Sequence, residues 1–218
     1  IVRLWTSSME YRNEMNTSPA IIAKLSDSYR RIRNTFRYIL GNLFDFDPGS
    51  NSVEYSQLLE IDRWALHKTE ELITAITSAF ESYQFHRVYH IIHNFCAVEM
   101  SSFYLDIQKD RLYTFSKNSI ERRSTQTVLH SINSVLVRLL APILAYTSEE
   151  VWLEMTHDDG SANSVHLADW PVNNEKYIDN ELNDKWEKII KIRTDVAREL
   201  EGMRASKQIG NSLEASVD

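Results

Sequence analysis

The chain has 218 residues with 43% apolar and 25% charged residues, the balance of a globular protein that can bury a core. Its net charge of −7 argues, on average, against nucleic-acid binding, and its single cysteine, Cys96, excludes an internal disulfide. A chain without disulfides suits the reducing cytosol, so we expect a cytoplasmic protein. No apolar run approaches the roughly 20 residues that cross a bilayer, so we expect no membrane partner.

The N-terminal region predicts one long helix. The chain opens on Ile1 rather than Met inside an apolar-periodic stretch, so we expect a piece cut from a longer polypeptide. Ser18 followed by Pro19 predicts a helix start, because Ser caps free N–H groups and Pro has none to lose. Apolar residues then recur at steps of three and four, which predicts one buried face. That face carries Leu25, Tyr29, Ile32, Phe36, Ile39 and Leu43.

Further helices are predicted downstream by the same spacing. The second would bury Ile61, Ala65, Leu72, Ile76, Ala79 and Tyr83; the third Val88, Ile91, Phe95, Val98 and Leu105; the fourth Val128, Ile132, Val135 and Leu139. Thr147 and Glu150 have the capping-box spacing and predict a short helix from Thr147. After a polar stretch, a last helix would carry Leu182, Trp186, Ile189, Val196, Leu200 and Met203 on one face.

These elements predict an all-α fold, an antiparallel helical bundle with a C-terminal helical extension. Scarce Gly and Pro, five and four residues, agree with long helices. We expect a bundle over residues 1–156. Residues 157–218 would form a polar connection, a long helix and a junction to a further module.

Positive charge is concentrated in two stretches. Residues 24–37 hold five bases against one acid, a balance of +4, and residues 109–123 hold five bases against two acids, a balance of +3. Residues 149–184 hold ten acids and one base. One basic face on an acidic body suits a selective nucleic-acid binder.

Within the first helix, Arg30, Arg33, Asn34 and Arg37 fall on one exposed stripe beside the predicted core face. Three guanidiniums and an amide could grip phosphates and read base edges. The alternative is a solvated helix face without function.

In the second stretch, Phe103 and Tyr104 precede Lys109 and Arg111. Base stacking with phosphate contact would explain this mixture. Equally, the aromatic residues could belong to the core and the bases could lie near a helix end.

His86, His90, His93 and Cys96 have helical spacing and are possible zinc ligands. No Cys pair or His-Glu motif completes a site, so we expect hydrogen-bonded histidines and no metal. Glu149 and Glu150 are adjacent and cannot face each other as a catalytic pair. We therefore predict no catalytic residue in this chain.

Several long motifs resemble isoleucyl-tRNA synthetases. Residues 28–38 (SYRRIRNTFRY), 98–106 (VEMSSFYLD) and 109–113 (KDRLY) are similar to the anticodon-binding domain of that family. Residues 140–152 (LAPILAYTSEEVW) resemble a signature shared with the valine, leucine and methionine enzymes. Residues 102–106 (SFYLD) differ from the sequence DWYLE that valyl relatives tend to have, and this difference favours the isoleucine family. The start resembles the segment after the KMSKS signature, and residues 209–215 (IGNSLEA) resemble the junction to a C-terminal module.

The resemblance implies a parent ligase that uses ATP and Mg²⁺ to join isoleucine to its tRNA. Its catalytic and editing domains, and any zinc module, would lie outside this chain, which would need no cofactor. The implied partners are isoleucine tRNA and the catalytic domain of the same monomeric polypeptide. From the charge patterns above, the residues that we expect to contact the tRNA are Arg30, Arg33, Asn34, Arg37, Lys109 and Arg111. A helical scaffold that binds no RNA remains open, as does the equivalent domain of a valyl, leucyl or methionyl relative.

Overall fold

A computed structural model describes residues 1–155, 163–211 and 214–216. Across these ranges the regular structure is helical and contains no strand, which confirms the all-α prediction. None of the described helices is both long and apolar enough to cross a membrane. The helices are α1 Val2–Ser8, α2 Pro19–Asn42, α3 Pro48–Asn51, α4 Glu60–Glu81, α5 Phe85–Asn94, a π-helical segment Phe95–Tyr104, α6 Leu105–Ile107, α7 Lys109–Thr114, α8 Ile120–Leu140, α9 Ala145–Glu154 and α10 Asn180–Ala205.

Helix α2 begins as its sequence predicts. The Ser18 hydroxyl accepts a hydrogen bond from the Ile21 N–H at 3.3 Å, and Pro19 occupies the first turn. The predicted core face is confirmed by the buried Leu25, Ile32, Phe36 and Ile39. Packing of this face fixes the direction of every other side chain on α2.

Helix α8 is the central element of the bundle and contacts α2, α4, α7 and α9. Its C-terminal half buries mainly apolar side chains, with Ile132, Leu136 and Leu139 among those fully covered. Its N-terminal half buries charged and polar residues instead, including Arg122 and Arg123. Buried charges need partners, and these partners connect α8 to the rest of the bundle.

A π-helical segment interrupts the predicted third helix. Over Phe95–Tyr104 the chain is wound more widely than an α-helix, so the spacing of buried positions changes. Val98, predicted to be buried, is 53% exposed, whereas Met100, Phe103 and Tyr104 point inward. The prediction for Val98 is wrong because it assumed 3.6 residues per turn throughout.

The predicted second helix ends earlier than expected. Tyr83, predicted on its buried face, is 64% exposed and has a left-handed φ of 56°. The Gln84 N–H donates to the Ala79 carbonyl at 2.8 Å, and the Tyr83 N–H donates to Phe80 at 3.0 Å. These two bonds form a Schellman cap, so Tyr83 terminates the helix rather than packing inside it.

Helix α9 starts at Ala145, and the predicted cap at Thr147 is wrong. The Thr147 hydroxyl instead shares a 3.0 Å hydrogen bond with Tyr29 of α2. Glu149 accepts from the backbone N–H of Val165 at 3.0 Å and from the Ser164 hydroxyl at 2.9 Å. These side chains fix α9 to its neighbours and do not cap its first turn.

The chain forms two compact units, residues 1–178 and 179–218. The predicted boundary at residue 156 lies outside the described residues. The described part of the polar connection, residues 163–178, lies in the first unit and is bonded to α4. Trp170 donates its ring N–H to Thr77 at 2.9 Å, and the Asn174 N–H donates to Glu70 at 2.8 Å. The second unit contains α10, capped by Asp179.

Candidate nucleic-acid interface

The four polar residues predicted on α2 are all exposed, and they lie opposite the buried face of the helix. Arg30, Arg33, Asn34 and Arg37 span about 100° of the helix circumference; we call this set the α2 stripe. Arg30 forms an ion pair with Asp27 at 2.8 Å, with both side chains exposed. Such a surface pair stabilises by at most about 1 kcal/mol, so Arg30 can exchange it for a ligand.

A groove of about 600 Å³ runs between α2 and α9. Arg33 and Arg37 line its α2 wall, and Glu150 and Glu154 line its α9 wall. The Tyr29–Thr147 hydrogen bond joins the two helices. The remaining lining residues are Phe36, Leu40, Gly41, Thr147, Val151 and Leu153. Arg30 and Asn34 do not line this groove, and Asn34 lies at the edge of the stripe farthest from Arg33.

The second basic stretch is largely neutralised inside the protein. Arg122 makes a two-bond ion pair with Asp45, at 2.8 and 2.9 Å, and both side chains are under 10% exposed. Arg123 donates to the backbone carbonyl of Asp45 at 2.9 Å. Burial raises the pKa of Asp45, but hydrogen bonds from Arg122 and Gln126 and the arginine charges outweigh it, and the pKa falls to about 2. These two arginines are structural.

Arg111 and Lys109 differ in how available they are to a ligand. Arg111 lies 3.7 Å from the fully buried carboxylate of Asp62 and donates to Gln108 at 3.1 Å. Lys109 is exposed and paired with Asp106 at 2.7 Å. Arg111 therefore has a structural partner in Asp62, whereas Lys109 is exposed, as a contact with RNA requires.

We expect Arg111→Ala to lower the free energy of unfolding by about 1–3 kcal/mol, because it leaves buried Asp62 without its counter-charge. Lys109→Ala should leave the free energy of unfolding nearly unchanged, because an exposed ion pair contributes little to stability. Urea unfolding of both variants tests this contrast. Equal losses would show that Arg111 is not a structural charge.

The aromatic residues before Lys109 do not form a stacking surface. Phe103 and Tyr104 are buried, and the Tyr104 hydroxyl donates to Asp62 at 2.7 Å. Their assignment to the core is therefore right, and the base-stacking alternative for them is wrong. Tyr113 remains exposed on α7.

The histidine group is spread over separate contacts. His86 lies 3.3 Å from Glu10, and His93 stacks on Tyr89 at 6.0 Å. Burial, aided by the charge of Arg31, lowers the pKa of His93. Burial raises the pKa of the Cys96 thiol to about 12. In the ranges that the structure describes, no three His, Cys, Asp or Glu side chains are placed to share a metal ion.

The acidic wall of the groove is not predicted by the sequence. Glu150 and Glu154 stand four residues apart on α9, a spacing visible in the sequence. Nothing in that spacing indicates that Arg33 and Arg37 face them. Their pairing depends on how α2 packs beside α9.

The chain matches known proteins over its whole length. Residues 62–218 match the model of a family described as the anticodon-binding domain of tRNA ligase. The complete chain is 49% identical to the isoleucine–tRNA ligases of Caldanaerobacter subterraneus subsp. tengcongensis and Moorella thermoacetica, covering 24% and 23% of them. It is 50% identical to that of Desulforamulus reducens, again covering 23%. The chain thus spans about a quarter of the length of these relatives.

A solved structure shares the fold. It is the ternary complex of LeuRS from Agrobacterium radiobacter K84 with tRNA and LeuAMS. The TM-score is 0.51 at 20% identity, over 82% of this chain and 20% of the other. At this identity the match supports the helical architecture only.

Proposed function

The chain belongs to the family of anticodon-binding domains of tRNA ligases, and on that premise we propose that it recognises the anticodon loop of isoleucine tRNA. The α2 stripe carries this proposal, because it holds polar side chains outward on a helix whose opposite face is buried. The isoleucine–tRNA ligases that match the complete chain support isoleucine as the amino acid.

The physical requirement for anticodon recognition is a rigid display of donors and acceptors. Anticodon bases lie in a loop, where they can be unstacked and spread over a protein surface. Arginine can fork onto a guanine edge or a phosphate, and asparagine both donates and accepts. A helix packed along one face holds such groups in fixed positions better than a loop does. In this proposal Arg33 and Asn34 read bases, while Arg30 and Arg37 contact phosphates.

The proposal also extends to the parent protein. We place the chain in a cytoplasmic, monomeric isoleucine–tRNA ligase, beside the catalytic domain of the same polypeptide. ATP and Mg²⁺ serve the ligation step, and the anticodon contact itself needs neither.

Filter binding with isoleucine tRNA, and with the same tRNA carrying a changed anticodon, tests the proposal. We expect tighter binding of the unchanged tRNA. A scaffold that only connects domains would bind neither RNA selectively, and that result would refute the proposal.

Single substitutions separate base reading from phosphate contact. Arg33→Ala or Asn34→Ala should weaken binding of the matched tRNA by about 1–3 kcal/mol. The loss should be smaller with the changed anticodon, since the missing contact was already absent. Arg30→Ala or Arg37→Ala should weaken both RNAs alike and lower the salt dependence, as loss of a phosphate contact does.

Arg87→Ala is the charge-matched control, because Arg87 is an exposed arginine on α5, outside the stripe. All five variants should unfold like the parent chain, since exposed positions rarely shift stability by more than about 0.5 kcal/mol. If Arg87→Ala weakened tRNA binding as much as the stripe variants do, the stripe would contribute only general positive charge and no specific contact.

A further inference from the structure

We propose that a cavity between α4 and α5 binds a small organic cation, an amine that carries an apolar body. The cavity has a volume of about 390 Å³ and is lined by α4, α5 and the start of the π-helical segment. None of the residues that line it belongs to the α2 stripe or to the groove between α2 and α9. The inference therefore goes beyond the proposed function and does not depend on RNA binding.

The apolar part of the lining comes from both sides of the cavity. Leu72 and Ala75 supply it from α4, and Ile91 and Phe95 supply it from the opposite side. Because residues three or four apart lie on one helix face, each pair forms a continuous surface. Leu72 and Phe95 are buried, so the core holds them in place. A mainly apolar cavity of this size suits a small molecule, since such sites span about 300–1,000 Å³.

The lining also carries two carboxylates and one ammonium group. Lys68 forms an ion pair with one oxygen of Glu71, and the other oxygen lies 3.4 Å from the His67 ring. Both oxygens of Glu71 are thus engaged by its own helix. Glu99 accepts one long hydrogen bond, from the Asn94 side chain at 3.4 Å, and forms no ion pair with a described residue. Lys68 and Glu71 balance each other, which leaves the charge of Glu99 uncompensated.

A bound cation would supply the charge that Glu99 lacks. Burial raises the pKa of Glu99 and the charge of Glu71 adds to the rise, whereas Lys68 and Asn94 oppose it. An ammonium group donates to a carboxylate in a charge-assisted hydrogen bond, which belongs to the strong class. Because the cation prefers ionised Glu99, the affinity should fall as the pH falls through the pKa of this carboxyl. His90 also lines the cavity, and its protonation would act in the same direction.

The same charges exclude other classes of small ligand. A neutral molecule would leave Glu99 without a counter-charge, and an anion would be repelled by it. A zwitterionic amino acid would bring a carboxylate, but Lys68 is already held by Glu71. A metal ion finds too few ligands, because no three His, Cys, Asp or Glu side chains in the described ranges are placed to share one.

The test titrates the full chain with phenethylamine hydrochloride and follows its NMR chemical shifts. We expect a Kd of about 1 mM, within the limits that ligand efficiency sets for so small a molecule. The neutral analogue 2-phenylethanol has the same body and should bind at least about tenfold more weakly, because it cannot form the charge-assisted hydrogen bond. Phenylalanine should also bind more weakly than the amine. Ammonium chloride supplies the charge without the body and should not shift the residues of the cavity.

Two substitutions separate the charge from the cavity. Glu99→Gln keeps an acceptor for Asn94 but removes the charge, so it should weaken amine binding at least about tenfold and leave 2-phenylethanol unaffected. Ala75→Phe fills the cavity with the charges in place and should weaken both probes. Glu81→Gln is the control, because Glu81 is an exposed carboxylate at the end of α4 outside the cavity. It should change neither affinity.

Amine binding that survives Glu99→Gln would overturn the inference. So would equal affinities for phenethylamine and 2-phenylethanol, tighter binding of phenylalanine, or an amine affinity that does not fall with pH. Absence of any shift in the cavity would overturn it as well. Circular dichroism checks that both variants fold, and if Ala75→Phe did not, Glu99→Gln with its control would decide the outcome.

Discussion

Asp45→Ala is expected to lower the free energy of unfolding by about 3–5 kcal/mol. The substitution removes the carboxylate that pairs with Arg122 through two hydrogen bonds and leaves that buried guanidinium without its counter-charge. Gln126 also loses its 2.8 Å bond to the same carboxylate. Asp45 lies between α2 and α3, and Arg122 and Arg123 lie on α8. The substitution therefore removes an ion pair that connects the end of α2 to the central helix.

Urea unfolding followed by circular dichroism measures this effect. Asp27→Ala is the matched control, because Asp27 also pairs with an arginine at 2.8 Å but is exposed. It should cost at most about 1 kcal/mol. Equal losses for the two aspartates would contradict the structural assignment of Arg122.

The lowered pKa of Asp45 gives this prediction a pH dependence with a defined sign. The pKa falls from about 4 in an unfolded chain to about 2 in the folded one. The resulting stabilisation, about 2–3 kcal/mol, is complete above pH 4 and is lost as the pH falls through 2. The stability difference between the parent chain and Asp45→Ala should therefore narrow below about pH 4.

Asp62→Ala should lower the free energy of unfolding by about 3–5 kcal/mol, as much as Asp45→Ala. The Asp62 carboxylate is fully buried and accepts from the Ser124 hydroxyl at 2.6 Å, from Tyr104 at 2.7 Å and from Gln108 at 3.2 Å. Alanine would leave these three buried donors unsatisfied and Arg111 without its carboxylate. Each unsatisfied buried donor costs about 1–3 kcal/mol, and partial rearrangement limits the sum.

Asp62→Asn separates charge from hydrogen bonding, because the amide keeps one acceptor. Asp62→Asn should therefore lower the free energy of unfolding by less than Asp62→Ala does. Asp110→Ala, at an exposed acid of α7, is the control and should shift stability by less than about 0.5 kcal/mol. A small loss for Asp62→Ala would show that water replaces the carboxylate without cost.

The arginines of this chain thus divide by what surrounds them. Arg122 and Arg123 pair with a buried acid, whereas Arg33 and Arg37 face open space beside Glu150 and Glu154. A count of basic residues along the chain cannot separate these groups, since both stretches have similar net charge. Only the exposed group is available to an RNA.

The sequence by itself determined the helical class, the start of α2 at Ser18 and the direction of the α2 stripe. These features depend on local spacing: a helix places every third or fourth residue on one face, and a serine before proline caps its own helix. The motif in residues 28–38 also pointed to the family that the comparison found.

The tertiary structure alone decided the rest. It turned Val98 outward through a π-helical segment and paired Thr147 with Tyr29. It also buried Arg122 against Asp45 and placed Arg111 at 3.7 Å from the carboxylate of Asp62. These outcomes join residues far apart in the chain, and no local period records which helix faces which. The groove has the same origin: α2 supplies its donors and α9 its acceptors, and packing of the two helices sets them opposite each other.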